Sequence, residues 1–286
     1  MSLSGLVVGC VLLAAACVLA LRAWGGWSWR RGTEALRGRL ASGRETPRVA
    51  RFEPSSLTHL PAPVRRYLAA VLQPGQGIVS GVEMEHAGTF NMSETGEKWV
   101  PFTSNQRVVT RPPGFDWDAR IAMAPGFPVF VHDAYVGGEG LLVARAWGVV
   151  TFANVSGTPD IAQGELMRYL AEVAWYPTVL LPGQGVEWEA VDDTTARATL
   201  TDGATTVSLV FAFGPDGLIS TVRSEGRQRT LKSGTVSTPW QGRFWAYAPH
   251  DGMLVPTQGE VSWEVDGVAF PYWRGEVRRV RYEFEE

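Results

Sequence analysis

The segment Gln163–Pro182, QGELMRYLAEVAWYPTVLLP, decides the fold that we expect for this chain. Its apolar residues recur at the spacing of one helix face, as Leu166, Met167, Leu170, Val173 and Ala174. Arg168 lies on the opposite face, three residues after Glu165 and four before Glu172, which is the spacing of helical ion pairs. Pro177 predicts the end of the helix, because proline lacks the amide hydrogen. The segment therefore predicts one amphipathic helix in a region that is otherwise typical of strands.

Around this helix the apolar residues follow a period of two, which indicates half-buried strands. The dipeptides Gly137-Gly138, Asp202-Gly203 and Asp216-Gly217 predict tight turns between them. The main predicted strands are Val129–Val136, Leu141–Thr151, Val186–Val191, Ala196–Leu200, Thr205–Phe213, Leu218–Ser224, Val261–Val265 and Arg279–Phe284. Because short turns connect them, we expect an α+β fold that is mainly β: a curved antiparallel sheet or half-barrel. One or two helices cover it, the second being Val64–Leu72.

The N-terminus predicts one transmembrane helix. Leu3–Leu21 holds nineteen residues without a charge, and as a helix they span about 28 Å, close to the thickness of a bilayer core. Trp24, Trp27 and Trp29 follow, as in an interfacial aromatic belt. A cleaved signal peptide or a lipoprotein site at Cys10 or Cys17 remains an alternative, although the run is long for a signal peptide and apolar residues follow both cysteines.

This organisation divides the chain into a transmembrane anchor at 1–25, a basic juxtamembrane segment and linker at 26–59, and a β-rich soluble domain at 60–286. All five arginines of the first 40 residues follow the span, as Arg22, Arg30, Arg31, Arg37 and Arg39. The positive-inside rule then predicts a single-pass cell-membrane protein with its domain in the cytoplasm. A large folded domain can override this bias.

Composition excludes several classes of function. Residues 1–40 carry five arginines and one glutamate, so the rest of the chain stands at −3 − 4 = −7. An acidic domain without a basic stripe argues against a nucleic-acid partner. No phosphate-binding loop, dinucleotide glycine motif or serine-hydrolase elbow occurs, and we expect no cofactor.

Metal binding is not favoured by the pattern either. The histidines are scattered without a helical pair or a neighbouring cysteine, at His59, His86, His132 and His250. Asp116 and Asp118 share a strand face, but Arg120 on the same face favours charge pairing over a hard cation. The pair Asp192-Asp193 is typical of a turn.

The central segment resembles the signature of an uncharacterised bacterial protein family of unknown function. The likeness rests on GELMRYLAEVAWYPTVLLP with the downstream WEAVDD and ARATL, and on LPAPVRRYL, PGFDWDARI and DAYVGGEG upstream. It runs from about Leu60 to Tyr282 and implies no catalytic residues. A second, architectural likeness to the half-barrels of lipoprotein-carrier and lipid-binding domains concerns the fold alone.

Three functions remain open. The first is a binding module that holds a lipid or another hydrophobic ligand between sheet and helix, with Tyr169, Trp175 and Tyr176 as the lining residues; core packing is the alternative for these aromatics. The second is an acid/base hydrolase or isomerase that uses Glu165, Arg168 and Glu172; a solvated helix face with exposed ion pairs is the favoured alternative for these residues. The third is a structural partner of another membrane protein. The absence of a nucleophile motif favours the first over an enzyme.

Overall fold

The computed structural model describes residues 3–45, 51–231 and 234–284. The described helices are α1 Leu3–Ser42, α2 Ala62–Val71 and α3 Pro159–Ala171, with short 3₁₀ turns at Pro54–Leu57, Glu172–Trp175 and Pro177–Leu180. The described strands are β1 Val79–Asn91, β2 Trp99–Val109, β3 Gly114–Ala124, β4 Phe127–Val136, β5 Glu139–Ala146, β6 Val150–Ser156, β7 Val186–Ala190, β8 Thr195–Asp202, β9 Thr205–Phe213, β10 Ile219–Leu231, β11 Gly234–His250, β12 Met253–Val265 and β13 Val268–Phe284.

All 13 strands form one sheet in the order β6-β5-β4-β3-β2-β1-β13-β12-β11-β10-β9-β8-β7. Two meanders, β1 to β6 and β7 to β13, are joined where β1 pairs with β13, and every pair of neighbours is antiparallel. The predicted α+β, mainly β fold with a curved antiparallel sheet is therefore confirmed. Since the chain runs from β6 to β7 through α3, this helix connects the two open edges of the sheet.

Helix α3 fills the concave side of the sheet and contacts both arms, β5 on one side and β9 on the other. It begins four residues before the predicted Gln163, because the Thr158 hydroxyl accepts the amide of Ile161 and Pro159 occupies the first turn. The α-helix ends at Ala171, where a 3₁₀ turn follows. The apolar stripe therefore runs from the α-helix into the 3₁₀ turn. All five stripe residues are buried.

Gly140 of β5 shows how closely α3 approaches the sheet. A Cβ atom at this position would lie 2.5 Å from the carbonyl carbon of Ile161. Only glycine permits this contact between strand and helix.

Helix α1 is longer than its apolar run. It continues without a break to Ser42, and its second half packs on the outer face of the sheet against β2, β3 and β4. The buried residues repeat at intervals of four, four, three and four, as Gly25, Trp29, Thr33, Leu36 and Leu40. The basic segment that follows the apolar span therefore packs in part on the sheet; Pro47 of the expected linker lies outside the described residues.

The predicted strand Leu141–Thr151 is two strands in the structure. Trp147 and Gly148 adopt positive φ angles of 50° and 73°, and their turn separates β5 from β6. The apolar run continues through Trp147, Val149 and Val150, so the pattern by itself did not reveal the break.

Candidate functional site

A cavity of about 360 Å³ lies between α3 and the concave face of the sheet. Its wall is mostly apolar and includes four tryptophans, Trp117, Trp175, Trp240 and Trp273. The aliphatic part of the wall comes from both arms of the sheet, with Val131 and Leu142 on one and Val222 and Val261 on the other. The cavity is therefore a product of the curvature that brings β4 and β5 opposite β10 and β12.

Small residues leave room for this cavity. Ala144, Gly242 and Gly259 line it where neighbouring positions carry large side chains. A Cβ atom at Gly259 would lie 3.6 Å from the Trp273 ring and 3.7 Å from the Trp175 ring. Larger side chains at these positions would fill space that is now open.

A second, more polar chamber of about 630 Å³ adjoins the first. The two share the lining residues Phe90, Met92, Asp133, Leu142, Arg227 and Tyr272. Arg227 lies over the Trp240 ring at 5.0 Å and donates to the Gly164 carbonyl at 3.1 Å. Neither Arg227 nor the neighbouring Arg229 pairs with a carboxylate among the described residues. Within the described ranges, the outer chamber thus contains two arginines without a direct ion pair, together with the acids Glu94, Asp133, Asp160 and Glu165 in its lining.

A charged cluster on α3 forms one wall of the inner cavity. Arg168 Nε lies 2.8 Å from Glu172 Oε1, and an Arg168 terminal nitrogen pairs with Asp133 of β4. The guanidinium lies over the rings of Phe115 and Trp117, at 4.9 and 5.0 Å. Although burial alone would lower the pKa of Arg168, its carboxylate neighbours raise it above the ordinary value. Arg168 is therefore a permanent cation held between two carboxylates.

Glu165 is the most buried acid of this group, with 4% of its surface exposed. Burial, followed by the neighbouring Asp133, raises its pKa well above the ordinary value. The Oε2 atom of Glu165 and the Oδ1 atom of Asp133 are both buried without a hydrogen-bond partner. The raised pKa favours a protonated Glu165 beside Asp133.

His86 lies behind the tryptophan wall. Its ring centroid is 5.3 Å from that of Trp175 and 6.3 Å from that of Trp273. Burial, with a smaller contribution from Arg168, lowers the pKa of His86 to about 3. The imidazole is therefore neutral at physiological pH, and its Nε2 atom is buried without a partner.

The structure brings the three acid/base candidates together around the two chambers. Arg168 and Glu172 line the inner cavity and Glu165 lines the outer one. They do not form a solvated helix face. A solvated face was the alternative for these residues, and it does not hold because both arms of the sheet cover α3.

The three aromatic candidates divide differently. Trp175 lines the inner cavity. Tyr169 and Tyr176 lie fully buried in the core; the Tyr176 hydroxyl donates to the Tyr169 carbonyl at 3.0 Å, and the Tyr169 hydroxyl donates to the Thr110 carbonyl at 3.3 Å. Core packing is thus their role in this fold.

Sequence reasoning missed Asp133, Gln106 and Arg227 as parts of the site. Asp133 pairs with Arg168 across 35 positions of the chain, and Gln106 donates to Glu172. The inward position of Asp133 was visible as a polar residue in an apolar strand. Arg227 follows the end of a predicted strand, Leu218–Ser224, that continues in the structure to Leu231.

The other acidic candidates have structural partners. Asp116 is fully buried and accepts from His132 Nδ1 at 2.8 Å and from Arg37 Nε at 2.7 Å. Asp118 pairs with Arg120 and accepts from the Trp29 indole at 2.8 Å.

Asp192 accepts from the amides of Thr194 and Thr195 in its own turn, which lowers its pKa. In the described part of the chain, no three His, Cys, Asp or Glu side chains lie close enough together to hold a metal ion.

These features define a class: an open, curved antiparallel sheet that wraps a helix and keeps an apolar cavity on its concave face. The chain belongs to DUF6920, a family of unknown function whose model matches residues 58–282. The match confirms the resemblance expected from the Gln163–Pro182 segment. A search of curated proteins finds no match.

Two solved structures resemble the chain. A LolA superfamily protein from Nitrosomonas europaea aligns with a TM-score of 0.38 and 9% identity, covering 74% of this chain and 90% of that one. A β-barrel-like protein of the domain of unknown function DUF1849 from Brucella abortus aligns with a TM-score of 0.21 and 12% identity, covering 72% of this chain and 99% of that one. At these TM-scores the superpositions define neither a ligand nor an activity for this chain.

Proposed function

We propose that this protein is a membrane-anchored module that binds a lipid-like amphiphile between α3 and the sheet. The single observation that carries the proposal is the apolar inner cavity of about 360 Å³, which is continuous in its lining with a more polar outer chamber. Ligand sites of roughly 300–1,000 Å³ with mostly apolar walls and few polar groups are typical of small-molecule binding.

The distribution of charge supports an anionic head group. In the inner cavity Arg168 is balanced by Asp133 and Glu172, and Arg243 pairs with Glu260. Arg227, in contrast, lies where the inner cavity borders the outer chamber. Arg227 and Arg229 of the outer chamber have no carboxylate partner among the described residues. An amphiphile with its chain between the tryptophans and its carboxylate or phosphate beside these two arginines satisfies both chambers.

The proposed anchor is the first half of α1. One helix, Ser4–Ser42, is long and apolar enough near the N-terminus to cross a membrane, and its apolar window is not buried within the protein. We propose a single-pass position in the cell membrane, with the arginine bias supporting a cytoplasmic domain. A C-terminal alkaline phosphatase fusion tests the orientation: an inactive fusion is expected, and an active one places the domain outside the cytoplasm.

Photo-crosslinking of the full-length protein tests the ligand. The protein is reconstituted in phosphatidylcholine vesicles that contain a trace of a diazirine-bearing C16 fatty acid, and labelled peptides are mapped after irradiation. We expect labelling of the cavity strands, around Gly242 and Gly259, in addition to the anchor. Ala144→Phe places a ring in the cavity. Because this ring occupies space that the ligand needs, it should reduce cavity labelling about fivefold or more.

Two controls accompany this experiment. Labelling of residues 4–21 reports bilayer contact and should not change in Ala144→Phe. Ala87→Phe adds the same ring to the outward face of β1, outside the cavity lining, and should leave the cavity signal unchanged. Cavity peptides labelled no more strongly than the outer face of the sheet, or equally in both variants, would overturn the proposal.

A second candidate function is acid/base catalysis on the bound molecule. The observation that favours it is the pair formed by Glu165 and Asp133, in which a buried carboxyl with a raised pKa lies beside a carboxylate at the cavity wall. The protonated Glu165 would act as general acid and Asp133 or Glu172 as base. Incubation of the protein with lipids extracted from its own membrane, followed by mass spectrometry, should then show a product that Glu165→Gln abolishes while ligand crosslinking persists.

A further inference from the structure

We infer that the end of the sheet that carries the β1–β2, β3–β4, β5–β6 and β12–β13 turns docks on the bilayer surface and presents one side of the outer chamber to it. This inference rests on the membrane anchor of the proposed function but not on the identity of a cavity ligand. The occupant of the docking surface is the interface of the same bilayer that α1 enters.

Topology places these turns together. Adjacent strands are antiparallel throughout, so every second turn of a meander lies at the same end of the sheet. Because β1 pairs with β13, the two meanders share the same two ends. The same alternation puts the β8–β9 turn at this end, whereas the turns β2–β3, β4–β5, β7–β8, β9–β10 and β11–β12 lie at the opposite end. We call the first set the anchor-side rim, because α1 leaves the sheet there.

The course of α1 identifies this end. Leu40 packs at Gly114, where β3 begins at the opposite end, whereas Gly25 packs against Trp147 and Gly148 in the β5–β6 turn. The helix therefore runs toward the anchor-side rim as it is followed from Leu40 back to its N-terminus. The guanidinium of Arg22 lies 5.7 Å from the Trp147 ring centroid.

Arg22 is the first charge after the apolar span. Its contact with Trp147 places the border of the predicted membrane segment at the level of the β5–β6 turn. About 20 helical residues extend beyond it, which correspond to roughly 30 Å and match a bilayer core. The anchor-side rim is consequently the end of the domain that the anchor holds against the membrane.

Exposed apolar side chains concentrate at this rim. Outside α1, six of the large hydrophobic residues that are exposed in the described structure lie in or beside its turns: Met92, Val150, Phe152, Val236, Val265 and Val268. The other three lie elsewhere: Val191 in the β7–β8 turn, Val155 near the end of β6 and Trp245 within β11. Val268 has 68% of its surface exposed although it begins a strand. Apolar patches of this kind on a soluble surface mark contact with membranes or partners.

One side of the outer chamber belongs to the same rim, and the other side is formed by Val155, Thr158, Asp160 and Ile161, where β6 passes into α3. The outer chamber is lined by Met92, Ser93 and Glu94 of the β1–β2 connection and by Leu231 at the end of β10. Because the rim also carries Glu94, Glu97, Lys98 and Asp266, its charges are of both signs. Apolar insertion therefore governs docking, and neutral phosphatidylcholine is a sufficient surface.

Site-directed fluorescence quenching tests the inference on the full-length protein. Cys10 and Cys17 are replaced by serine, and a bimane label is attached to Val268→Cys or Val236→Cys at the rim, or to Val191→Cys at the opposite end as the matched control. Each protein is reconstituted into phosphatidylcholine vesicles with and without lipids that carry a nitroxide near the head group. Val191 is a suitable control because it is also an exposed valine in a turn.

We expect quenching at positions 268 and 236 to exceed that at 191 by about threefold or more, since interface-bound side chains lie within the first several ångströms of the bilayer. Equal quenching at the rim and at Val191, whether weak or strong, would overturn the inference. Circular dichroism checks the fold of each variant. If the rim is quenched but the cavity is not labelled in the crosslinking experiment, the proposed ligand is wrong while the docking surface still holds.

Discussion

Arg37 Nε lies 2.7 Å from Asp116 Oδ2, and this ion pair joins the N-terminal helix to the outer face of the sheet. Asp116 is fully buried and also accepts from His132. An arginine that the sequence marks as a determinant of membrane orientation is thus also a structural residue. Arg39 also pairs with a sheet residue, Glu139 at 2.9 Å, but both of these side chains are exposed. The second half of α1 therefore behaves as part of the folded domain.

Arg37→Ala should destabilise the protein. It leaves Asp116 buried with one partner fewer, and we expect a loss of about 1–3 kcal/mol in the free energy of unfolding, since Arg37 is itself partly exposed. Thermal unfolding of the full-length protein in detergent measures the change. Arg39→Ala is the matched control, because its exposed pair contributes about 0–1 kcal/mol. Equal melting temperatures for the two variants would show that α1 is not held by Asp116.

Glu165→Gln should change how stability depends on pH. Because the folded-state pKa of Glu165 is raised, the folded protein binds more protons than the unfolded chain above the ordinary value of 4.5, so its stability falls as pH rises through this window. Glutamine removes this term. The free energy of unfolding of the variant, relative to that of the wild type, should therefore rise by up to about 1.4 kcal/mol per pH unit above that value. Denaturant unfolding from pH 4 to pH 8 provides the comparison, and a difference that is constant with pH would contradict it.

His86→Gln should make the protein more tolerant of acid. The folded-state pKa of about 3 is below the ordinary 6.5, so the unfolded chain takes up a proton that the folded protein refuses as pH falls from 6.5 toward 3. This contribution to stability is complete above pH 6.5 and is lost below it, by up to about 1.4 kcal/mol per pH unit. Melting temperatures between pH 7 and pH 4 should decline less in the variant. Parallel curves would mean that His86 is not neutral in the folded state.

Leu170→Asp should unfold the domain. Leu170 is fully buried on α3, and an unpaired carboxylate there costs more than about 4 kcal/mol. Gln163→Asp places the same side chain on an exposed position of the same helix and should shift the free energy of unfolding by less than about 0.5 kcal/mol. Limited proteolysis and circular dichroism distinguish the two. Retention of a cooperative melt near the wild-type temperature in Leu170→Asp would contradict the burial of this face.

Much of the fold could be predicted because its signals are local. The period-two alternation and the Asp-Gly and Gly-Gly turns indicate antiparallel strands, and the stripe that includes Leu166 and Leu170 indicates a covering helix. The packing of α1 was not predictable in the same way. Its buried stripe includes Gly25 and Thr33, which a hydrophobic pattern does not mark, and their partners lie on strands about 100 residues later.

The candidate site shows the same division. The sequence placed Glu165, Arg168 and Glu172 on one face of a helix, because helical spacing depends only on residue number. Whether that face met solvent or protein depended on β4 and β10, which contribute Asp133 and Arg227 from distant parts of the chain. No local pattern contains that information.

By itself, the sequence determined the elements and their chemistry: an apolar N-terminal helix, an antiparallel succession of strands, one amphipathic helix, and no motif for nucleotide or metal. These follow from interactions between residues close in the chain. Only the tertiary structure decided that the sheet curves around α3, that a cavity remains between them, and that α1 packs on the outer face and leaves the sheet beside the β5–β6 turn. The physical reason is that the cavity, its opening and its charge pairs all arise from contacts between strands that are far apart in the sequence. Such contacts leave no periodic pattern in the sequence.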